Sequence, residues 1–211
     1  MSMKVILFNG STHPHGCTAQ ALETVAQTLN QQGIDTEILS IGATGIHDCI
    51  ACGICKKHDT PTCVFQDDCV NSWLAKVKTA DGFVFGSPVY YAHPTGALLS
   101  AMDRLFYAGG QYLRHKPAAA VLTARRAGTT ASMDVLNKYF AFNQMPIITS
   151  TYWNQIYRDQ NGTPTTDAEG TQTLQHLANN MAWLLKCLAA GKGQGITPPA
   201  QAKTIMTNFV R

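Results

Sequence analysis

Two hydrophobic periods alternate along this chain, one of about two residues and one close to 3.6. Lys4–Phe8 is a short apolar run that stops at Asn9-Gly10-Ser11-Thr12, the form of a first strand entering a loop. Thr18–Gln32 then carries Ala21, Leu22, Val25, Ala26 and Leu29 at helical spacing, with Gly33 where a C-terminal cap belongs. Asp35–Ile41 predicts a second strand, with Ile34, Thr36, Ile38 and Ser40 on one face and Glu37, Leu39 and Ile41 on the other. A long stretch from about Gly42 to Asp68 shows neither period, and a helix is expected over Cys69–Thr79. Gly82–Gly86 is nearly all apolar, as a central strand covered on both faces should be. A helix over Thr95–Phe106, a strand over Ala118–Thr123, a helix over Thr130–Asn143 and a strand opening at Pro146–Ser150 follow. Gly170–Ala189 completes the pattern as a long helix with Leu174, Leu177, Ala178, Met181, Leu184, Leu185 and Leu188 on one side.

Strands separated by helices predict an α/β domain with a parallel sheet and crossover helices. One domain over residues 1–190 is expected, with a cysteine-rich insertion at about 42–68 and an irregular tail over 191–211. Five strands in this rhythm fit either a dinucleotide-binding Rossmann half or a flavodoxin-like order of 2-1-3-4-5. Composition narrows the partners. Charged residues are 14% of the chain and the net charge is +3, with Lys and Arg scattered, which argues against nucleic acid and suits an anionic ligand. No apolar run reaches membrane-spanning length, and the first residues do not resemble a signal peptide, so a cytoplasmic protein is expected. Seven cysteines in such a chain are thiols or ligands sooner than disulfides. The Asn161-Gly162-Thr163 sequon is a chance match in that setting.

Ligands of parallel α/β sheets sit beyond the carboxyl ends of the strands, so the loops there decide the function. The loop after strand one, Asn9 to Thr18, lacks both the G-x-G-x-x-G spacing and a Walker lysine. It delivers hydroxyls and glycines into a helix N-terminus, where free N–H groups and the dipole favour a phosphate. Ser11, Thr12 and Thr18 are candidate donors, His13 a candidate partial charge, and Gly16 and Cys17 the backbone at the turn; the bland alternative is a polar turn with Thr18 as cap. Past strand three, Ser87, Pro88, Val89, Tyr90 and Tyr91 crowd apolar and aromatic groups where a flat ring such as a flavin would pack. Past strand four, Thr123, Ala124, Arg125, Arg126 and Gly128 bring a third polar loop to the same edge. One arginine there would stabilise the negative charge of a reduced flavin.

Gly10-Ser11 through Thr18, Gly86-Ser87-Pro88-Val89-Tyr90-Tyr91 and the following helix to Arg104 together resemble the NADPH-dependent FMN reductase family over residues 3 to about 150. The resemblance implies a flavodoxin-like three-layer sandwich with FMN, its phosphate at Ser11–Thr18 and its ring against Pro88–Tyr91 and Ala124–Gly128. Family members often carry arginine at the place of His13, which implies a weaker phosphate grip here. It further implies a homodimer or homotetramer, with the loops at Gly42–Asp68 and Tyr107–Lys116 meeting a neighbouring subunit.

Cys49, Cys52, Cys55 and Cys63 form C-x2-C-x2-C-x7-C. Four thiolates so close together are a usual way to hold a 4Fe-4S cluster; free thiols and, less readily, zinc are the alternatives. The pattern resembles iron–sulfur flavoproteins, relatives whose cluster passes electrons to FMN. Cys69 and Cys187 are expected in the core, and Cys17 is expected to pack rather than react. The expected activity is NAD(P)H-dependent reduction of a small acceptor such as a quinone or flavin. The alternative is an electron-transfer flavoprotein carrying a cluster beside FMN. No catalytic side chain is expected, with Tyr91 and Arg125 the candidates for stacking and flavin electronics.

Overall fold

The computed structural model describes residues 2–57, 62–159, 166–200 and 203–207. The sequon at 161–163 and parts of the expected tail lie outside these residues. Strands β1 (Lys4–Asn9), β2 (Asp35–Ser40), β3 (Gly82–Tyr90), β4 (His93–Pro94), β5 (Ala118–Ala124) and β6 (Gln155–Tyr157) alternate with helices α1 (Cys17–Gln31), α2 (Val70–Val77), α3 (Gly96–Leu113), α4 (Thr129–Phe142) and α5 (Ala168–Gly193).

The sheet runs β2-β1-β3-β5-β6 with every pair on this path parallel, and β4 is a short antiparallel arm on β3. With that arm set aside, the order is the expected 2-1-3-4-5, the flavodoxin-like arrangement. Alternation along the strands sorts the core into two layers. Ile6, Phe8, Phe83 and Phe85 face α2, α3 and α4, whereas Val5, Leu7, Val84, Ala119 and Val121 face α1 and α5. Phe8 stacks on Phe85 at 4.6 Å and tilts against Trp73 at 4.8 Å, tying the sheet to α2. These buried aromatic pairs add packing beyond the area they remove from water.

Several expected boundaries move, for local reasons. The third strand continues from Gly86 to Tyr90 because Val89 and Tyr90 pair with Pro94 and His93. The two residues between, Tyr91 and Ala92, have φ of 52° and 58°, the backbone of a tight primed hairpin turn. The helix after it runs to Leu113, so most of the stretch expected as a loop at Tyr107–Lys116 is helical. The last strand is Gln155–Tyr157 and not Pro146–Ser150. Ile147 there makes only an isolated bridge to Ala118, and Pro146 can accept but not donate in a ladder. Cys187 is exposed, contrary to expectation, because it lies on the solvent side of α5 away from Leu174, Leu177 and Met181; Cys69 is partly buried against the α2 and α3 core. Among the described residues, no helix is long and apolar enough to cross a membrane.

Candidate functional site

The three loops singled out in the sequence meet at the carboxyl edge of the sheet. Gly10 N–H donates to the Gly86 carbonyl (2.8 Å), and Thr95, the cap of α3, donates its hydroxyl to the Gly10 carbonyl (2.8 Å) and its N–H to Ser87 Oγ (3.0 Å). Thr18 and Thr123 share a hydroxyl bond of 2.8 Å, joining the start of α1 to the end of β5. Gly128 lies so close to the hairpin turn that an added Cβ would stand 2.7 Å from Ala92 Cα. The loops after β1, β3 and β5 are therefore stitched pairwise.

At the start of α1, Gly16 is the N-cap and supplies no side-chain acceptor, and no acidic residue stands in the first turn. Gln20 N–H is bonded back to the Gly16 carbonyl (3.1 Å), while Cys17, Thr18 and Ala19 N–H find no acceptor among the described residues. That is a cradle for an anion. Ser11 Oγ accepts from His13 N–H (3.1 Å) and keeps its own proton free to donate into it. Thr12 and His13 are exposed beside it. The buried Thr18 hydroxyl is engaged by Thr123, so its backbone N–H is the group it offers outward, and it is not the cap. Burial pushes the Cys17 thiol up to about 11, against the pull of the Arg158 charge and with Asp167 and Asp159 adding to the rise. Cys17 is a packing thiol.

Ser87 is fully buried, Pro88 and Val89 half-buried, and Tyr90 and Tyr91 exposed, so the aromatic wall faces outward from a closed base. Ala124 is buried with its carbonyl accepting from Arg158 N–H (3.2 Å); Arg125 and Arg126 are both exposed. Gly128, at φ 95°, turns the chain into α4.

Away from this rim, Cys49, Cys52, Cys55 and Cys63 line one cavity together with Arg104, Tyr107 and Ala108 of α3. All four thiols are free. Left-handed backbone at Ala51 (φ 51°) and Gly53 (φ 71°) brackets Cys52 and bends the C-x2-C-x2-C run around the cavity. Burial pushes the Cys55 thiol up; Lys56 pulls it down, and Cys52, Cys63 and Cys49 each push it further. The sulfurs therefore sense one another. Among the described residues no three His, Cys, Asp or Glu side chains converge on a point that one metal ion could occupy. A tetrahedral zinc needs its ligands converged on one atom, whereas a cubane spreads four thiolates over separate irons. An all-thiol set of this kind fits a cluster better than zinc.

The profile of NADPH-dependent FMN reductases matches residues 3–157. This chain belongs to that family. FMN binding and oxidoreductase chemistry come with the membership. Among curated relatives, an iron–sulfur flavoprotein of Methanocaldococcus jannaschii is 30% identical over 194 residues, covering 88% of this chain and 99% of that one. An iron–sulfur flavoprotein of Methanosarcina thermophila is 22% identical over 196 residues, covering 88% and 97%. Among solved structures, an NAD(P)H:quinone oxidoreductase from Methanothermobacter marburgensis superposes with a TM-score of 0.64 at 14% identity, covering 86% and 98%. An archaeal flavodoxin superposes with a TM-score of 0.60 at 16% identity, covering 87% and 99%. These two structures establish the fold.

The anion cradle at α1 fits the phosphate of the family's FMN, and the hairpin beside it fits an apolar wall. Four residues that shape these loops and the cysteine cavity escaped the sequence reading. Asn9 is buried and accepts Ser11 N–H at 3.0 Å, shaping the loop; Thr95 stitches two loops. Arg158 follows β6 and lies near enough to Cys17 to act on its thiol. Arg104 reaches the cysteine cavity from helix α3. Thr95 had a signal, since Thr before Gly96 and an apolar run is a cap.

Proposed function

We propose that this reductase-family chain is an iron–sulfur flavoprotein oxidoreductase, with FMN at the sheet edge and a 4Fe-4S cluster held by Cys49, Cys52, Cys55 and Cys63. The observation that carries the reading is the common cavity lined by four free thiols. Support also comes from the curated relatives, which are iron–sulfur flavoproteins.

The chain's own groups divide the work. The N–H groups of Cys17, Thr18 and Ala19, with Ser11 Oγ, hold the FMN phosphate. Pro88 to Tyr91 wall the ring, and one of Arg125 and Arg126 turns toward it to favour its reduced, anionic form. Bound in these places, FMN supplies one- and two-electron redox chemistry and the cluster supplies single-electron storage. NAD(P)H is the proposed electron source and a small acceptor such as a quinone or flavin the proposed sink. Tyr90 and Tyr91, exposed at the rim, offer faces for either to stack on. An open rim on one chain is also consistent with a homodimer or homotetramer in which a neighbouring subunit closes it.

Protein purified without air tests this reading. Flavin absorption with a broad brown shoulder, and about four iron and four sulfide per chain, is the expected result. Flavin bands alone, with no iron after anaerobic reconstitution, would leave a cluster-free NAD(P)H-dependent reductase instead. The lack of a converged ligand set is the observation that favours that second reading.

A further inference from the structure

Arg104 is the one charged residue buried as a whole among the described residues, and its donors all go to one segment. Its Nε donates to Cys63 Sγ at 3.1 Å, Nη1 to the His47 carbonyl at 3.2 Å, and Nη2 to the Phe65 carbonyl at 3.4 Å. Both terminal nitrogens also bond Asp68, whose side chain is 0% exposed against 1% for Arg104. The Phe65 ring lies 5.2 Å from the guanidinium and stacks on His47. One side chain of a rigid helix thus holds residues on both sides of the cavity. The Cys63 backbone is fixed independently, its N–H by Asn71 Oδ1 at 2.7 Å and its carbonyl by Asn71 Nδ2 at 3.1 Å.

We infer that Arg104 is a positioning residue of the cysteine site: it sets the loop in its ligand-binding shape before iron arrives, and it raises the reduction potential of the cluster bound there. The inference rests on the cluster reading of the proposed function. The guanidinium stands between Cys63 Sγ and the Asp68 carboxylate, so the ion pair presents its positive end to the sulfur. A donated hydrogen bond and a positive end both stabilise the more negative, reduced cluster. Asp68 tempers this effect by compensating the charge. Removing the arginine should therefore lower the potential, and neutralising the aspartate should raise it. A side chain that only supported the fold would give no such opposition of sign.

The test uses anaerobically reconstituted full-length protein and its Arg104→Gln, Arg104→Lys and Asp68→Asn variants. Iron and sulfide content is measured first, then the cluster and flavin midpoints by spectroscopic redox titration. The expected result is a lower cluster potential in Arg104→Gln, a smaller drop in Arg104→Lys, a rise in Asp68→Asn, and a flavin midpoint that stays put. In apo protein, amide hydrogen exchange over residues 62–68 should quicken by about tenfold or more in Arg104→Gln, the ratio that loss of one charge-assisted hydrogen bond gives. Should Arg104→Gln not fold, Arg104→Lys keeps the charge, loses the fork and carries the same comparison. Wild-type protein that takes up no iron or sulfide would overturn the proposed function and the electrochemical claim with it. Normal uptake with potentials that do not move, or that move together in Arg104→Gln and Asp68→Asn, would overturn this inference alone, as would unchanged hydrogen exchange over residues 62–68.

Discussion

Gly128→Ala is the sharpest probe of the flavin rim. The substitution carries two costs that can be worked separately. Gly128 has φ 95°, where an L-residue costs about 1–2 kcal/mol. The new Cβ would also stand 2.7 Å from Ala92 Cα and 3.0 Å from Ala92 Cβ and Val89 Cγ1. Ala92 Cα is backbone, already at φ 58° in a two-residue turn, so it yields only by moving the hairpin. Overpacking of this kind costs roughly 1–3 kcal/mol. The total is about 2–5 kcal/mol, and the part relieved by displacing the hairpin appears as lost cofactor affinity. Gly33→Ala is the matched control. It has φ 78° with nothing within 4 Å of the new Cβ, at the far end of α1, so it carries the strain without the clash. Flavin fluorescence quenching gives the FMN Kd and thermal melting of apoprotein gives stability. We expect Gly128→Ala to weaken FMN binding at least about tenfold, worth about 1.4 kcal/mol, and Gly33→Ala to leave it unchanged. FMN affinity in Gly128→Ala equal to that of Gly33→Ala would refute the contact between the two loops as a determinant of the site.

Three further outcomes follow from the same geometry. Tyr91→Gly should raise the melting temperature by a few degrees, since it relieves about 1 kcal/mol of left-handed backbone strain. It should also slow acceptor reduction by removing an exposed ring, and a variant no more stable than wild type would show that the turn is unstrained. Burial pushes the Asp68 carboxyl up, but the bonds from Arg104 and Val70 N–H and the Arg104 charge outweigh it and hold the group below the usual range. Its stabilisation is therefore present above the unfolded value near 3.9 and is lost as pH falls through the folded value. Asp68→Asn should flatten the acid limb of urea-denaturation stability while costing roughly 3–5 kcal/mol at neutral pH. An acid limb as steep as that of wild type would refute it. With its thiol pushed up to about 11, Cys17 should be among the last cysteines alkylated at pH 8, long after the exposed Cys52 and Cys187. Mass spectrometry of a timed alkylation reads the order, and early labelling of Cys17 would contradict its burial.

What the sequence disclosed and what it hid have physical causes. The alternation of strands and helices and the three rim loops were legible because apolar runs and glycine-bearing turns are local signals, whereas the choice of strand order came through the family resemblance. The hairpin at Tyr91–Ala92 was not, since two-residue primed turns usually announce themselves with Asn-Gly or Asp-Gly and this one is built from Tyr and Ala. The end of α3 was misplaced at Phe106, short of Gly109 and Gly110, residues of poor helix propensity. They are instead buried helix positions, where a Cβ at Gly109 would meet Leu74 Cδ2 at 2.7 Å and one at Gly110 would meet Asn143 Oδ1 at 2.9 Å. Cys187 misled because its apolar neighbours Leu184 and Leu188 are not themselves fully buried. At the site, Ser11, Thr18 and Thr123 were named correctly as residents of one edge. The bond that couples the last two spans 105 residues, which no local pattern can encode.

Arg104 was hidden for the same reason, and its recovery changes how the two candidate sites relate. Helix α3 is capped by Thr95, whose hydroxyl bonds the Gly10 carbonyl at the proposed flavin rim. Five residues on, Ser100 bonds Asp48 beside the first cysteine, and one turn after that Arg104 bonds Cys63. Ser100 and Arg104 follow the i, i+4 spacing of one helix face. At 1.5 Å per residue, the nine steps from Thr95 to Arg104 place the two anchor points about 14 Å apart along a rod that does not bend easily. The separation of the flavin rim from the cysteine cavity within one chain is therefore set by a helix and not by the irregular loop that carries the thiols. A loop of that length, with one short 3₁₀ turn at Ile54–Lys56 among its described residues, would otherwise let its cysteines wander relative to the sheet. Anchored at Asp48, Cys63 and Asp68 to one helix, it holds a fixed distance, and a fixed distance is what the proposed exchange of electrons between FMN and a cluster would require.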